Sequence, residues 1–322
     1  MHKFKQVSVQ KGWFPKMKVL VLGGTGLLGS FLIPKLLARD YTVSVLSRNK
    51  EALTKLDEHG VHGIIGDLLE PEKFVPNLAP QDVVVSIAMP LEFGRMSGKK
   101  LKVVTERTTK FTQSALDIGH KLDCPIIFTL GTSYRTGPGE VADETWPIER
   151  FGLTLAGVEA ERLIQEAGAE GRPIIQMIPG QIYGPGGMFL EMYKMLKSGK
   201  FGVVGKGENR IPRIHVEDCA EAYALTIDNL PINESFIIAD DTPCTMREFM
   251  DYMASCAGMS KPRSIPRLLA RLVMGKLLIE TMGIDCVVSN TKLKEMLGWE
   301  LKYPSYREGL PSAIEAIDAI DT

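Results

Sequence analysis

The stretch KVLVLGGTGLLG, residues 18–29, decides the fold of this chain. After the leading lysine its first residues are all apolar, a pattern typical of a strand buried on both faces of a sheet. The glycine-rich turn leads straight into residues 30–39, whose apolar positions have helical spacing, and a β-rich run follows over residues 42–46. Strand, turn, helix and strand in this order predict a βαβ unit.

The same alternation continues to about residue 178. Further strands are predicted at residues 63–65, 83–87, 125–129 and 174–178, and helices at residues 51–59, 100–122 and 154–167. Beyond about residue 185 the rhythm changes to helices at 189–196 and 215–228, a glycine-rich loop at 203–212 and a late strand at 236–239. Regular alternation of strands and helices favours the α/β class, with a Rossmann-type doubly wound parallel sheet.

Three glycines of the turn form a G-x-x-G-x-x-G pattern between the first strand and the first helix. In a dinucleotide site the first glycine permits the tight turn, the second lets the backbone approach the pyrophosphate, and the third lets the helix pack close to the strand. Free N–H groups at the helix start then receive the phosphates. A nucleotide site is therefore predicted, with a purely structural turn as the alternative. The predicted binding residues are Gly23, Thr25, Gly26, Leu27, Leu28 and Gly29.

The end of the second strand distinguishes the two nicotinamide dinucleotides. NAD sites usually place an acid there for the ribose 2′-hydroxyl, whereas an arginine accommodates the 2′-phosphate of NADP. Residues 47–50 read SRNK, which favours NADP(H) over NAD(H) and predicts contacts from Ser47 and Arg48. A solvated turn is the alternative. Asp67 and Leu68 close the third strand, and Asp67 is a candidate for the adenine edge, unless it is a simple turn aspartate.

Composition limits the classes of function. The formal net charge of the 322 residues is −1, so no global field attracts nucleic acid or an anionic membrane. No apolar run approaches the roughly 20 residues of a membrane span, and the basic residues 1–16 lack the apolar core of a secretory signal. The five cysteines are scattered, which predicts free thiols in a reducing compartment, the cytoplasm. The cysteines and histidines lack metal-ligand spacing, so no metal is expected.

Several more motifs occur in one order along the chain. They are GGTGLLG (23–29), GDLLEPE (66–72), VVVSIAMP (83–90), DETWP (143–147), PGQIYGPGG (179–187), GKGENRIPRIHVEDCAEAY (205–223) and LGW (297–299). With them the chain resembles the extended short-chain dehydrogenase/reductase family, also called the NAD-dependent epimerase/dehydratase family, from residue 17 to about residue 310. The resemblance implies that Ile87 and Ala88 flank the cofactor and that Pro179 and Ile182 lie beside the nicotinamide.

The resemblance also implies a Rossmann domain with a smaller C-terminal lobe that closes over the substrate. We expect an extension at residues 1–16, a dinucleotide-binding domain at 17–187 and a mostly C-terminal substrate lobe at 188–322. Segments at about 213–240 are expected to return to the Rossmann domain. Residues 267–279 predict a basic amphipathic surface helix with an apolar inner face, the alternative being membrane or partner binding.

Two further features of the chain bear on its substrate. Five methionines, Met89, Met96, Met188, Met192 and Met195, are expected to pack in the core, with an adaptable apolar pocket as the alternative. Nucleotide-sugar members of the family grip the diphosphate with an arginine pattern, which NRIPRIH (209–215) matches poorly. A nucleotide sugar is therefore not favoured as substrate.

The family's catalytic segment, Y-G-x-S-K-x-x-x-E, has a counterpart at residues 151–159, FGLTLAGVE. The resemblance places Phe151 where the family has its proton-transferring tyrosine, and Leu155 where it has the lysine that lowers the tyrosine pKa. Phenylalanine has no proton to transfer, and the leucine side chain cannot form hydrogen bonds. A positioned general acid typically raises the reaction rate about 10²–10⁴-fold. An apolar wall beside the nicotinamide is therefore predicted in place of the usual pair.

Residues 131–134, GTSY, follow the fifth strand, where the family keeps a substrate-polarising serine or threonine. Thr132 or Ser133 is a candidate for that role. Tyr134 is a candidate acid because it is the nearest phenol in the sequence, with a loop tyrosine as the alternative. A tyrosine pKa of about 10 requires a cationic neighbour for action near neutral pH, and Arg135 is adjacent.

Three functions remain open. The first is an NADP(H)-dependent oxidoreductase of an atypical extended type, acting on a small carbonyl, hydroxyl or activated alkene. The second is an NADP(H)-binding sensor or assembly protein without turnover, and the third is a lyase or isomerase that reuses the pocket. The intact glycine loop favours the first two, and the missing pair favours the last two. A small molecule is expected as partner, nucleic acid and membrane are not, and a homodimer is left open.

Overall fold

The computed structural model describes residues 16–90 and 97–320, so the predicted extension lies outside the described residues apart from Lys16. The strands of this part are β1 (Lys18–Leu22), β2 (Thr42–Ser47), β3 (His62–Ile65), β4 (Val83–Ser86), β5 (Ile126–Thr129), β6 (Ile174–Pro179), β7 (Gln181–Tyr183), β8 (Gly202–Val204), β9 (Arg213–His215), β10 (Ser235–Ile238) and β11 (Arg263–Ile265). Seven of them form one parallel sheet in the order β10-β6-β5-β4-β1-β2-β3. The predicted Rossmann-type parallel sheet is confirmed.

Helices cover both faces of this sheet. The helices of the described ranges, including those that pack elsewhere, are α1 (Leu27–Ala38), α2 (Lys50–Asp57), α3 (Gly98–Leu122), α4 (Val158–Ala169), α5 (Gly187–Lys197), α6 (Val216–Asn229), α7 (Met246–Cys256), α8 (Arg267–Met274), α9 (Lys276–Met282), α10 (Thr291–Leu297) and α11 (Tyr306–Ile320). Short 3₁₀ turns occupy Pro71–Lys73, Val75–Asn77 and Gly152–Gly157.

Strand β1 shows why the central strands are apolar throughout. Successive side chains of a strand point to opposite faces of the sheet. Val19 and Val21 belong to the core formed with α1 and α6, whereas Leu20 and Leu22 belong to the core formed with α3 and α4. All four side chains are fully buried, and each contributes about 1.5–3 kcal/mol by leaving water. A polar residue at any of them would face a helix rather than solvent.

The later part of the chain builds a second core on α5, α7 and α11. Phe189, Tyr193, Phe249 and Leu310 are among its buried members. Two small parallel pairs, β8 with β11 and β7 with β9, flank this core. Residues 216–238 lie with the main sheet instead, because α6 packs on α1 and β10 pairs with β6.

The predicted helix at residues 267–279 is wrong in two respects. It is divided into α8 and α9 at Gly275, whose φ of 91° is incompatible with a continuous helix. The expected apolar inner face is also not found on α8, where Ala270 is buried but Leu268, Leu269, Leu272 and Val273 are between 53% and 74% exposed; on α9, Ile279 is buried. The end of α8 and helix α9 face the site described below.

Candidate functional site

The glycine loop between β1 and α1 is sterically constrained at two of its three glycines. A Cβ added to Gly23, whose φ is 95°, would lie 2.7 Å from the backbone of Ala88, and one added to Gly29 would lie 2.2 Å from the carbonyl oxygen of Gly24. A Cβ on Gly26 would meet only the Gly23 oxygen, at 3.4 Å. The protein itself therefore requires the first and third glycines, and the space beside Gly26 is free for a ligand to approach the backbone.

Helix α1 begins directly after this loop with its N-terminus uncapped. Gly26 is the N-cap residue and has no side chain to accept from the first N–H groups, and no acid stands in the first turn. The first N–H groups of a helix lack intrahelical partners and carry a partial positive charge. This arrangement fits the phosphates of a dinucleotide, which Thr25, Leu27 and Leu28 would border.

The ends of β2 and β3 place a cation beside a carboxylate. Arg48 is 72% exposed, and its Nη1 lies 3.5 Å from Oδ2 of Asp67. The other Asp67 oxygen accepts from the Leu69 N–H at 2.9 Å, and Ser47 Oγ accepts from the Asn49 N–H at 3.2 Å. The exposed guanidinium is thus free to turn toward an anion, whereas Asp67 and the Ser47 hydroxyl oxygen are already used in the local turns.

One cavity of about 1110 Å³ joins these features. Three parts of its lining are named here for later use. The glycine half is lined from residues 23–89, the junction from residues 129–134, 151–154 and 179–182, and the methionine half from residues 187–286. The predicted residues that the structure brings together here are Gly23, Thr25, Gly26, Leu27, Leu28, Gly29, Ser47, Arg48, Asp67, Leu68, Ile87, Ala88, Thr132, Tyr134, Pro179 and Ile182.

Ser133, by contrast, is buried outside the described lining of this cavity. Its hydroxyl donates to the carbonyl oxygen of Glu149 at 2.5 Å. The Thr132 hydroxyl lies in the junction but donates to the carbonyl oxygen of Pro179 at 2.6 Å. Both hydroxyl protons are therefore held by the backbone, and the Ser133 side chain pins the loop at residue 149 rather than facing a ligand.

Tyr134 lies at the junction in an apolar cluster with Ile178 and Ile284. Burial, together with the charge of Glu144, raises the pKa of its phenol to about 12. The cation that opposes this shift is Arg150, not the adjacent Arg135.

Arg135 is engaged elsewhere. Its guanidinium pairs with Glu149 at 3.1 Å and lies 5.4 Å from the centre of the Phe151 ring. The expectation that Arg135 would lower the Tyr134 pKa is therefore wrong, because the two side chains of neighbouring residues diverge. Arg150, which the sequence did not single out, is held by Glu161 through its Nε at 3.0 Å.

The helix predicted at residues 154–167 begins later than expected. Residues Gly152–Gly157 are a 3₁₀ turn, and α4 starts only at Val158. A 3₁₀ helix has three residues per turn, so residues three apart share a side. Phe151 and Thr154 accordingly line the cavity together, whereas Leu155 is 40% exposed and outside its described lining. The expected apolar wall holds Phe151 but not Leu155.

Helix α9 fixes this turn from the other side. The Leu153 N–H donates to Thr281 Oγ1 at 2.8 Å, and that hydroxyl donates to the Leu277 carbonyl oxygen at 2.9 Å. Gly152 has φ 54°, and a Cβ there would lie 2.3 Å from Thr281 Oγ1. Thr281 thus lines the cavity as a fully used hydroxyl, and no local pattern around residue 281 could have indicated this contact.

The methionines are the clearest departure from expectation. Core packing was expected, yet Met89, Met188, Met192 and Met195 all line the cavity; Met96 lies outside the described residues. Met246, Met274 and Met282 line it as well. The apolar-pocket alternative is therefore the one that the geometry favours.

Among residues 16–90 and 97–320, no helix combines the length and apolar character needed to cross a bilayer. No group of three or more histidine, cysteine, aspartate or glutamate side chains in the same ranges could hold a metal ion.

Comparison with proteins of known sequence gives distant relatives that match between 75% and 91% of the chain. A 3-diazoavenalumate denitrifying reductase from a Streptomyces species is 25% identical over 311 residues, covering 91% of this chain and 99% of the relative. A 2-alkyl-3-oxoalkanoate reductase from Stenotrophomonas maltophilia is 26% identical over 255 residues, covering 75% and 76%. A ketoreductase of a farnesylated dihydroquinoline oxide from Stigmatella aurantiaca is 24% identical over 261 residues, covering 79% and 78%.

Solved structures share the fold over nearly the whole chain. Thermus thermophilus UDP-glucose 4-epimerase with NAD superposes with a TM-score of 0.77 at 23% identity, covering 94% of this chain and 99% of the epimerase. A human epimerase family protein with NADPH superposes with a TM-score of 0.73 at 21% identity, covering 93% and 99%. The sequence model described as NAD dependent epimerase/dehydratase family matches residues 19–239. The chain belongs to the NAD dependent epimerase/dehydratase family.

Proposed function

We propose that this protein is an NADP(H)-dependent oxidoreductase that reduces a carbonyl group, or catalyses the reverse oxidation of a hydroxyl. The observation that carries the proposal is the continuous cavity, which runs from the glycine loop past Phe151 and Tyr134 into an apolar half large enough for a second ligand. The relatives add support, because three of them are named as reductases. A small activated alkene is a further substrate of the same class.

The residues at the end of β2 support NADP(H) over NAD(H). No carboxylate precedes residue 51 there, and the exposed Arg48 stands where a 2′-phosphate would be met. Asp67, 3.5 Å from Arg48, is positioned to hold the guanidinium or to border the adenine. Gly23, Gly26 and Gly29 with the start of α1 would hold the pyrophosphate, and Ile87, Ala88, Pro179 and Ile182 would enclose the nicotinamide end.

When bound, NADPH supplies a hydride, so reduction of a ketone also needs a proton at the carbonyl oxygen. Phe151 cannot provide it, and the hydroxyl protons of Thr132 and Ser133 are held by backbone carbonyls. Tyr134 carries its proton at neutral pH, as an ordinary tyrosine does, and burial raises its pKa further, to about 12. We therefore assign Tyr134 as the hydrogen-bond donor to the carbonyl, with water or an acidic group of the substrate as the alternative proton source.

The same proposal includes a reducing compartment such as the cytoplasm and a small-molecule partner. All five cysteines are free thiols, and four of them are buried. Unpaired thiols in this number are the norm where glutathione and thioredoxin keep proteins reduced.

A binding protein that holds NADP(H) without turnover is the second candidate. It is favoured by the engagement of Thr132 and Ser133 with backbone carbonyls, which leaves few protein groups for chemistry at the junction. A sensor of this kind would need the same glycine half and no proton donor.

The test is a screen of ketones and activated alkenes with NADPH, and of alcohols with NADP⁺, followed through the absorbance of the reduced nicotinamide. On whatever is converted, Tyr134→Phe is expected to lower kcat about 10²-fold or more, as for a positioned general acid. Tyr252→Phe, a tyrosine outside the described lining, is the matched control. Tight NADP(H) binding with no conversion would favour the binding protein, and oxidation of simple secondary alcohols unaffected by Tyr134→Phe would show that the proton donor is misassigned.

A further inference from the structure

Helix α5 presents three methionines to the cavity, of which Met192 also packs against the second core. Phe189, Tyr193 and Leu196 are buried against α7 and α11. Met188, Met192 and Met195 stand at positions i, i+4 and i+7 and line the cavity instead. Residues at this spacing share one side of a helix. The helix is therefore apolar on two sides, and the methionine side is exposed to the cavity, with Met188 47% and Met195 46% exposed.

Three other segments bring methionines to the same space. Met246 opens α7, Met274 ends α8 and Met282 ends α9. Among the described residues, seven methionines line the cavity, and the whole chain has fifteen. Four helices from three separate stretches of the sequence, α5, α7 and the adjacent α8 and α9, thus present the same kind of side chain to one volume.

The polar groups of the methionine half are already paired. The Arg210 guanidinium is held by Asp285, with Nε 3.0 Å from Oδ1, and this pairing raises the pKa of Arg210 and lowers that of Asp285. Glu191 pairs with Lys194 at 3.4 Å, and the Thr281 hydroxyl is used on α9. A ligand rich in hydroxyls or phosphates would lose its hydrogen bonds to water here without regaining them from protein, which is costly.

Resting on the proposed function, we propose that the substrate carries a hydrophobic chain, alkyl or prenyl, that occupies the methionine half while its carbonyl group lies at the junction. Methionine is unbranched and polarizable, so a surface of methionines adapts to chains of different length and shape. Phe201, Ile211 and Leu278 complete the apolar wall. The arginine of residues 209–215 nearest the cavity is neutralised by Asp285, so a diphosphate finds no free charge among the described residues of this half.

The test is calorimetric titration of the full chain with 2-alkanones from 2-butanone to 2-undecanone, with and without NADP⁺. Each buried methylene is expected to raise the affinity about fourfold until the methionine half is filled. Equal affinity along the series, no binding of any member, or tighter binding of UDP-glucose than of 2-undecanone would overturn the inference.

Paired variants show whether the methionines cause the effect. Replacing both half-exposed methionines, Met188→Gln with Met195→Gln, keeps side-chain length and is expected to reduce the gain per methylene to less than about twofold. Met296→Gln is the control, because Met296 is 49% exposed on α10, outside the described lining. An equal gain in affinity per methylene for the double variant and for Met296→Gln would contradict the assignment.

The outcomes separate this inference from the proposed function. Chain-length dependence of binding without any NADPH-driven reduction would refute the oxidoreductase and leave the hydrophobic site standing. Reduction of short ketones with no chain-length dependence of binding would support the oxidoreductase and refute the hydrophobic site.

Discussion

The glycine half of the cavity takes its lining from residues 23–89, contiguous motifs on the ends of neighbouring strands, whereas the methionine half takes its lining from helices spread over residues 187–286. In the first, the backbone of Gly23 and Gly29 is packed so closely that no Cβ fits. In the second, long flexible side chains such as Met188 and Met195 stand nearly half exposed.

The two halves of the cavity suit two kinds of ligand. A ligand that never changes can be met by rigid backbone, which fixes geometry at low entropic cost on binding. A ligand of variable length is better met by side chains with several rotatable bonds. The glycine half should therefore be intolerant of any added atom, and the methionine half should tolerate replacement and respond mainly to polarity.

The largest effect is expected from Gly29→Ala. Its Cβ would lie 2.2 Å from the carbonyl oxygen of Gly24, and backbone cannot move aside as a flexible side chain can. We expect the free energy of unfolding to fall by about 3 kcal/mol, the upper end for overpacking, as measured by urea denaturation. Gly168→Ala in α4 is the control, since a Cβ there meets nothing within 4 Å and should add about 0.5–1 kcal/mol. Equal stabilities of the two variants would show that the close contact of Gly29 with Gly24 does not exclude a side chain.

Gly26→Ala separates the needs of the fold from those of the ligand. Its Cβ meets only the Gly23 oxygen at 3.4 Å, so the protein should remain folded. NADP⁺ affinity should nevertheless fall about 10- to 100-fold, because the methyl group occupies the space in which the pyrophosphate would approach the backbone. Calorimetry gives the affinity and urea denaturation the stability. Unchanged affinity would mean that the pyrophosphate lies elsewhere.

The same contrast explains which features the sequence could predict. The glycine half follows from one local motif, because strand, turn and helix are adjacent in the chain and their geometry is set by residues 18–29. The start of helix α7 could also have been predicted, because Thr245 and Glu248 form a capping box whose spacing is visible in the sequence.

The methionine half could not be derived in this way. Its lining depends on where α5, α7, α8 and α9 pack in space, and a methionine facing a cavity has the same helical spacing as one facing a core. Leu155 was misplaced because an alignment fixes the residue but not the type of helix, and a 3₁₀ turn directs it to solvent. Arg135 was misplaced because adjacent residues of a loop diverge.

At the junction, the phenol of Tyr134 should keep its proton well above the usual tyrosine pKa. Burial raises this pKa to about 12, so the group costs no stability below about pH 9, where the unfolded phenol starts to ionise. At pH 10.5 an ordinary tyrosine would be about three-quarters ionised. We expect the near-ultraviolet phenolate absorbance of the wild type and Tyr134→Phe to be equal at that pH. A difference of most of one phenolate would show that a cation acts on Tyr134.

The smallest effect is expected from adding a lysine at residue 155. Phe151→Tyr introduces a phenol at the cavity wall, and Leu155→Lys adds a cation that the 3₁₀ turn directs to solvent. The pKa of the introduced phenol, read from phenolate absorbance, should be the same with and without the lysine. A pKa lowered by one unit or more in the double variant would show that the side chains of residues 151 and 155 lie together, as the family resemblance implies for the tyrosine and the lysine.

Calorimetric titration of the wild type and Arg48→Ala with NADP⁺ and with NAD⁺ tests whether the glycine half holds NADP(H). We expect the wild type to bind NADP⁺ more tightly than NAD⁺. Arg48→Ala should weaken NADP⁺ binding about 10- to 150-fold, the range for a hydrogen bond to a charged group, and leave NAD⁺ binding unchanged. Equal affinities of the wild type for the two dinucleotides, or no loss of NADP⁺ affinity in Arg48→Ala, would contradict an NADP(H) site in the glycine half.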